Sequence, residues 1–343
     1  MPHERDILDQ LPDLLEELAG VRPERVEFCP PSGADSVLQL AGRVLVVEAK
    51  ANARSGVLAE AAREVVSKAR EHGSDAVPLL VVPYMGDVGR RICEEAGVAY
   101  VDLSGNADIK APPLVIRVAG RPNRFKQRGR PSSVFAPKSS RVARLLLLEP
   151  ERWWSQHELA ERGDLGPGYV SRICGRLDDE KLIERNADRE LRPRDPKLLL
   201  RAWQEEYSFE KHEIMRGHVS ARSGDELAGR ITDALQRHGV HHAFTGLVSA
   251  WALAPFAGYR LVSVYVAKRV VNSVLDSLKW HEGSKGANLW LVRPNDEGVF
   301  QGESTVKGIN CVSAIQTYLD LHGMPERSDE AAAHLREKLL PWA

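Results

Sequence analysis

The segment SGADSVLQLAGRVLVVEAKA, Ser32 to Ala51, carries two acids and a lysine where an apolar hairpin begins and ends. In strand geometry Glu48 and Lys50 share one face, because residues two apart point the same way. Asp35 enters the preceding strand and meets them from across the hairpin. Asp35 and Glu48 together offer the hard oxygen pair that holds Mg2+ or Mn2+, with water completing the shell. A metal bound in this way to a phosphate activates water and stabilises the charge that develops on the phosphoryl oxygens. Lys50 is suited to orient or help deprotonate that water and to offset the same charge. Asp35, Glu48 and Lys50 are therefore candidate catalytic residues for phosphodiester chemistry, with the two acids as metal ligands.

The flanking sequence supplies elements to position them. Apolar residues from Ile7 to Leu18 recur at helical spacing and predict an amphipathic helix ending near Gly20. A strand is expected at Val26 to Phe28, followed by a hairpin of Ser36–Leu40 and Val44–Val47 turning at Ala41-Gly42-Arg43. Gly56 to His72 reads as a helix, PLLVVPYM as a buried strand, and Asp87 as the cap of a helix running to Glu95. GVAYVDLSG is a further core strand, its Asn106 a turn residue first of all, and PPLVIRVAG ends the sheet. The order predicts an α/β domain over residues 1–120 with helices on the faces of a mixed sheet.

Asp35 followed by Glu48-Ala49-Lys50 at the end of a hairpin, within this helix and strand order, resembles the PD-(D/E)xK nuclease superfamily, "AD" standing where the family has "PD". The resemblance covers about Glu4 to Gly120. It implies a restriction-endonuclease-like fold and Mg-dependent hydrolysis of DNA. It also implies a further ligand from an acid on the first helix, for which Glu16 and Glu17 are the candidates.

The net charge of −1 hides a basic run from Arg117 to Arg144 that contains no acid. Its prolines and glycine exclude a regular helix, so residues 121–138 read as an extended linker whose Arg124, Lys126, Arg128, Arg130 and Lys138 meet DNA phosphates. Residues 139–204 then give a short helix, a helix opened by the Ser155/Glu158 capping box, a glycine turn, and a helix with Val170, Ile173 and Leu177 at core spacing. Two short strands around Asn186-Ala187-Asp188 complete a unit resembling a winged helix-turn-helix. Tyr169, Ser171, Arg172 and Arg176 would face the groove and Arg185, Arg189 and Arg192 would hold flanking phosphates.

Residues 205–343 resemble an α+β nucleotidyltransferase-like core around VHHAFTGLVSAWALAPFAGYRLVSVYV. The strand that should carry two metal-binding acids offers Ser263 and Tyr265 instead, which argues against transferase activity. Adjacent His241 and His242 point to opposite sides of a strand, one exposed and one in the core. Through AFTG and AIQTYLDL, Ser139 to Trp342 resembles the AbiEi-type antitoxins of type IV toxin–antitoxin systems. That resemblance implies operon repression through the winged helix and a nucleotidyltransferase-like toxin as partner.

Cys29, Cys93, Cys174 and Cys311 form no close pair and read as reduced core thiols. With no secretory leader and no uninterrupted apolar span, the chain is expected to be cytoplasmic, without a membrane partner and with self-pairing as a further expectation. Two functions follow: a DNA endonuclease, in a phage-defence setting, or an antitoxin-like transcriptional regulator whose nuclease fold does not cut.

Overall fold

A computed structural model describes residues 2–28, 32–125, 133–256, 258–268, 270 and 272–343. Cys29 and the expected DNA contacts Lys126, Arg128 and Arg130 lie outside the described residues. The chain is a mixed α/β protein that divides into two compact units: Met1–Ser132 with Asp178–Leu182, and Ser133–Leu177 with Ile183–Ala343. No helix among the described residues is long and apolar enough to cross a membrane.

The first unit runs α1 (Glu4–Ala19), β1 (Glu24–Phe28), β2 (Ser36–Leu40), β3 (Arg43–Ala49), α2 (Ser55–Glu71), β4 (Val77–Val82), α3 (Asp87–Ala96), β5 (Ala99–Asp102), β6 (Ala107–Ala111) and β7 (Leu114–Val118). Its seven strands lie in chain order, parallel from β3 to β5 and antiparallel on both flanks. The β2–β3 turn places Ala41 and Gly42 at positive φ, the twist that a two-residue hairpin requires. The crossovers β3–α2–β4 and β4–α3–β5 step the same way along the sheet, so right-handed connection sends both helices to one face. Ile7, Leu8, Leu11 and Leu15 of α1 cover the other face, against Leu45, Val47, Ala49, Leu79, Val81 and Val101. Glu48 and Lys50 alternate with those residues and therefore look toward the α2 side.

Two expectations need correction. Gly86, not Asp87, occupies the cap position of α3, and Asp87 serves the first turn as an acid near the positive helix end. The segment ADIKA, alternating apolar and polar residues, forms β6, an additional strand between β5 and β7. Gly20 closes α1 in the left-handed conformation, as expected of a C-terminal glycine.

The second unit opens with α4 (Ser140–Leu148), α5 (Gln156–Gly163), α6 (Pro167–Asp179), β8 (Ile183–Arg185), β9 (Leu191–Pro193) and α7 (Pro196–Glu206). Ser155 accepts the Glu158 amide at 3.1 Å and Glu158 returns the bond to the Ser155 amide at 3.0 Å, closing the capping box. Trp154 bridges to Leu191 beside the β8–β9 pair.

There follow β10 (Glu213–His218), α8 (Gly224–Arg237), β11 (His242–Thr245), α9 (Gly246–Leu253), β12 (Val262–Val266), α10 (Asn272–Leu278), β13 (His281–Glu282), β14 (Leu289–Arg293), β15 (Ser304–Val306), β16 (Ile309–Cys311), α11 (Ala314–Leu321) and α12 (Ser328–Leu339). The strands form a second mixed sheet in the order β13-β10-β14-β12-β11-β16-β15. His242 is buried while His241 is exposed and pairs with Glu303. Cys93, Cys174 and Cys311 are buried free thiols.

A buried polar cluster binds this unit internally. Every residue of α11 from Ile315 to Leu321 is buried, including Gln316 and Asp320 one turn apart. Asp320 accepts from the Tyr207 hydroxyl, the Thr245 hydroxyl and Gln316 Nε2, the last at 2.7 Å. His212 Nε2 meets the hydroxyls of Tyr207 and Tyr265 at 3.0 and 3.1 Å, while its Nδ1 accepts the Asn295 amide at 3.1 Å. That acceptor role fixes the neutral tautomer with the proton on Nε2. Arg144 of α4 donates to the Gln316 amide oxygen and lies 4.9 Å over the Trp203 ring of α7. Its Nε and other terminal nitrogen have no hydrogen-bond partner among the described residues. Burial brings this guanidinium down to about 10.

Candidate active site

Asp35 stands opposite Glu48 in the β2–β3 ladder, one step beyond the Ser36–Val47 pair. Its backbone amide donates to the Val47 carbonyl at 3.0 Å, and its Oδ2 accepts the Ala49 amide at 2.8 Å. These bonds fix the carboxylate beside Glu48 and leave Oδ1 without a hydrogen-bond partner among the described residues. Burial raises the Asp35 carboxyl, helped by the nearby charge of Glu48 and opposed by the Ala49 amide.

Glu48 is 3% exposed, an unusual setting for a carboxylate unless it is paired. Lys50 Nζ lies 2.7 Å from Oε1 and Lys68 Nζ 2.7 Å from Oε2. Lys68 belongs to α2, which packs on the face where Glu48 emerges, and was not singled out from the sequence. Burial works against the Lys50 ammonium, but the hydrogen bond and charge of Glu48 outweigh it and hold Lys50 above the ordinary lysine range. The carboxyl end of β3 thus brings together the three expected residues, and α2 adds a second ammonium.

The first-helix acid differs from expectation. Glu17 pairs with Arg121 at 3.2 Å and Glu16 with Arg22 at 3.2 Å, so neither is directed to this cluster. Glu4, at the other end of α1, is the helix acid whose charge reaches both Asp35 and Lys50. The cause is the path of α1, whose first turn rather than its last comes nearest the site.

The donor set fits a hard divalent cation in part. Asp35 Oδ1 is open, and each Glu48 oxygen retains a lone pair beyond its lysine bond. Among the described residues no group of three or more His, Cys, Asp or Glu is arranged to hold a metal, so two carboxylates and water would make up the shell.

Asn106, in the turn between β5 and β6, has a structural role. Its backbone amide and Nδ2 each donate to the buried Asp102 carboxylate at 2.9 Å, while its Oδ1 accepts the Arg121 amide at 2.8 Å. Gly105 completes the turn at φ +95, and a Cβ there would come within 2.4 Å of the Arg121 guanidinium. The turn reading of Asn106 accounts for these bonds.

The expected DNA contacts are distributed unevenly. Ser171 and Arg172 are exposed on α6, and the Arg172 guanidinium lies 5.8 Å from the Tyr169 ring centre. Tyr169 is half-buried, with its hydroxyl 2.7 Å from Ser139 Oγ, and Arg176 is half-buried. Arg185 and Arg189 are exposed on the hairpin, whereas Arg192 bonds Glu184 at 2.7 Å and covers the Trp153 ring. Arg124 and Lys138 are exposed. Other cations of the basic run are committed internally: Arg121 to Glu17, Arg141 to Asp296 at 2.7 Å, and Arg144 within the buried cluster. The acid-free stretch in the sequence therefore becomes partly neutralised in the fold.

No protein-family model, no curated protein and no solved structure matches the chain. What identifies the site is its own chemistry: two facing carboxylates and two lysines gathered at the carboxyl end of β3, an interior strand of a mixed sheet.

Proposed function

We propose that the chain is a DNA-binding, Mg-dependent endonuclease with a restriction-endonuclease-like first unit and a winged helix-turn-helix formed by α4 to α6 and the β8–β9 hairpin. The convergence of Asp35 and Glu48, with Lys50 and Lys68 both bonded to Glu48, carries this reading. A divalent cation held by the two carboxylates would supply Lewis-acid activation of water and charge stabilisation at phosphorus. The chain's own residues do the rest. Asp35, locked to the Ala49 amide, and Glu48, locked between lysines, present their oxygens without reorganisation. Lys50 is the better placed lysine to position water or neutralise a phosphate oxygen, because it shares the Asp35 side of Glu48 and feels its charge.

The test is cleavage of supercoiled, linear and single-stranded DNA by the full chain in Mg2+ or Mn2+. The parent is expected to cut, while Glu48→Ala and Lys50→Ala lose activity by about a hundredfold or more. Cleavage unchanged in both variants removes this site from the reaction. For the interface, duplex affinity is expected to fall steeply with salt through counterion release. Arg172→Ala should reduce discrimination between duplex sequences more than overall affinity, and equal loss on every duplex would reduce Arg172 to a phosphate contact.

A second reading draws on the same lysines. Because each Glu48 oxygen already carries an ion pair, the cluster also suits a scaffold in an AbiEi-like repressor that pairs with a nucleotidyltransferase-like toxin. Binding without cutting, for parent and variants alike, is its signature.

A further inference from the structure

A cavity of 580 Å³ opens in the second unit beside α9 and α12 and the chain leading into β12. Trp251, Phe256 and Tyr259 give it an aromatic wall, and its rim carries Arg222, Arg260, Arg327 and Glu326. The volume falls within the range of about 300–1,000 Å³ in which small-molecule sites are found.

The rim charges are not equivalent. Glu326 is spent on the backbone, accepting the Leu261 amide at 3.1 Å and the Arg260 amide at 3.3 Å. Arg327 pairs with Glu330 at 2.9 Å and lies over the Phe256 ring. The guanidinium groups of Arg222 and Arg260 are exposed and have no partner among the described residues. Lys307 adds a cation 4.4 Å over the Trp251 ring, whose edge meets Tyr259. The result is an aromatic surface bordered by two uncommitted planar forks. A purely apolar ligand would ignore the forks, and a simple anion would ignore the wall.

We propose that this cavity binds a nucleoside phosphate, its base against the Trp251–Tyr259 wall and its phosphate on Arg222 and Arg260. Arg forks match phosphate oxygens in a planar, paired geometry, and stacking accepts any base. The shared chemistry comes from two sources, a free mononucleotide or the terminal nucleotide of a single strand.

Equilibrium dialysis of the full chain tests it with AMP, adenosine, inorganic phosphate and a short 5′-phosphorylated oligodeoxynucleotide. AMP is expected to bind saturably, with adenosine and phosphate each at least about tenfold weaker. Trp251→Leu and Arg260→Ala should each weaken AMP by roughly tenfold to a hundredfold. Arg222→Ala, an exposed change, keeps the test decisive if Trp251→Leu fails to fold. Glu48→Ala should leave AMP binding unchanged, so this proposal and the nuclease reading fail independently. An oligonucleotide that outcompetes AMP, with the same variant sensitivity, assigns the strand end as source; AMP binding without it assigns the free nucleotide. No saturable AMP binding, binding indifferent to all three cavity variants, or phosphate as tight as AMP overturns the proposal.

Discussion

Replacing Lys68 by methionine is expected to lower metal-supported DNA cleavage by about a hundredfold or more while duplex affinity stays near that of the parent. Lys68 Nζ holds one oxygen of a carboxylate that is almost wholly buried, and Lys50 holds the other. Methionine keeps the unbranched stem but removes the charge, so Glu48 must draw on Lys50 alone. Lys50 then serves as structural counterion and loses its freedom to act on water or phosphate. Stability should drop by about 1–2 kcal/mol, the range of one partly screened charged hydrogen bond. Lys68→Arg, which keeps the charge, should recover part of the activity, and its pH–rate profile should lie closer to the parent's than the methionine variant's. Full activity in Lys68→Met would mean that the second ammonium only scaffolds the end of β3.

Asp320→Ala is expected to destabilise the chain by about 3–5 kcal/mol at neutral pH, measured by urea denaturation of the second unit's transition. Three donors, from Tyr207, Thr245 and Gln316, lose their common acceptor inside the core. Asp320→Asn isolates the charge. Burial holds the Asp320 carboxyl up at about 6 from an ordinary 3.8, against its hydrogen bonds. Between those values the folded chain keeps a proton that the unfolded chain has released. The contribution of Asp320 to stability is thus present in full below the unfolded value and is lost as pH rises through about 6.

His212 runs the opposite way. Burial, with the charge of Arg144, holds it down to about 4 from 6.5, so its contribution is present at neutral pH and lost as pH falls. The two slopes overlap and largely cancel in the parent. Relative to the parent, Asp320→Asn should therefore lose about 2 kcal/mol more at pH 4.5 than at pH 7. A parallel offset at both pH values would show that Asp320 does not titrate in that window.

Much of the first unit was legible because its signals are local. The alternation around Val44 to Val47, the Gly20 stop and the Glu48–Lys50 spacing each depend on a few neighbouring residues. Five-residue β6 does alternate, Ala107, Ile109 and Ala111 against Asp108 and Lys110, but the run is short and directly follows the Asn106 turn, so pairing with β5 and β7 is what makes it a strand. Lys68 was hidden for a different reason: it lies on a helix twenty residues from Glu48, and only the packing of α2 brings the two together. Choosing Glu4 over Glu17 likewise required the direction of α1 across the sheet. The buried cluster did leave a trace, since Gln316 and Asp320 are polar one turn apart in AIQTYLDL, an otherwise apolar helical face. Read for packing rather than for catalysis, that spacing points to a hydrogen-bonded core helix.

The two sheets also differ in when they can form. In the first, strands pair only with their neighbours in the chain, so no pairing skips a strand and the ladder grows as the chain lengthens. Synthesis reaching Val118 already supplies all seven strands. In the second, β10 waits for β14 and β11 waits for β16, so no central strand is satisfied until most of that unit has been made. A ribosome would thus release a self-consistent first sheet well before the second, whose unpaired apolar strands are the part of the nascent chain that a chaperone would have to shield.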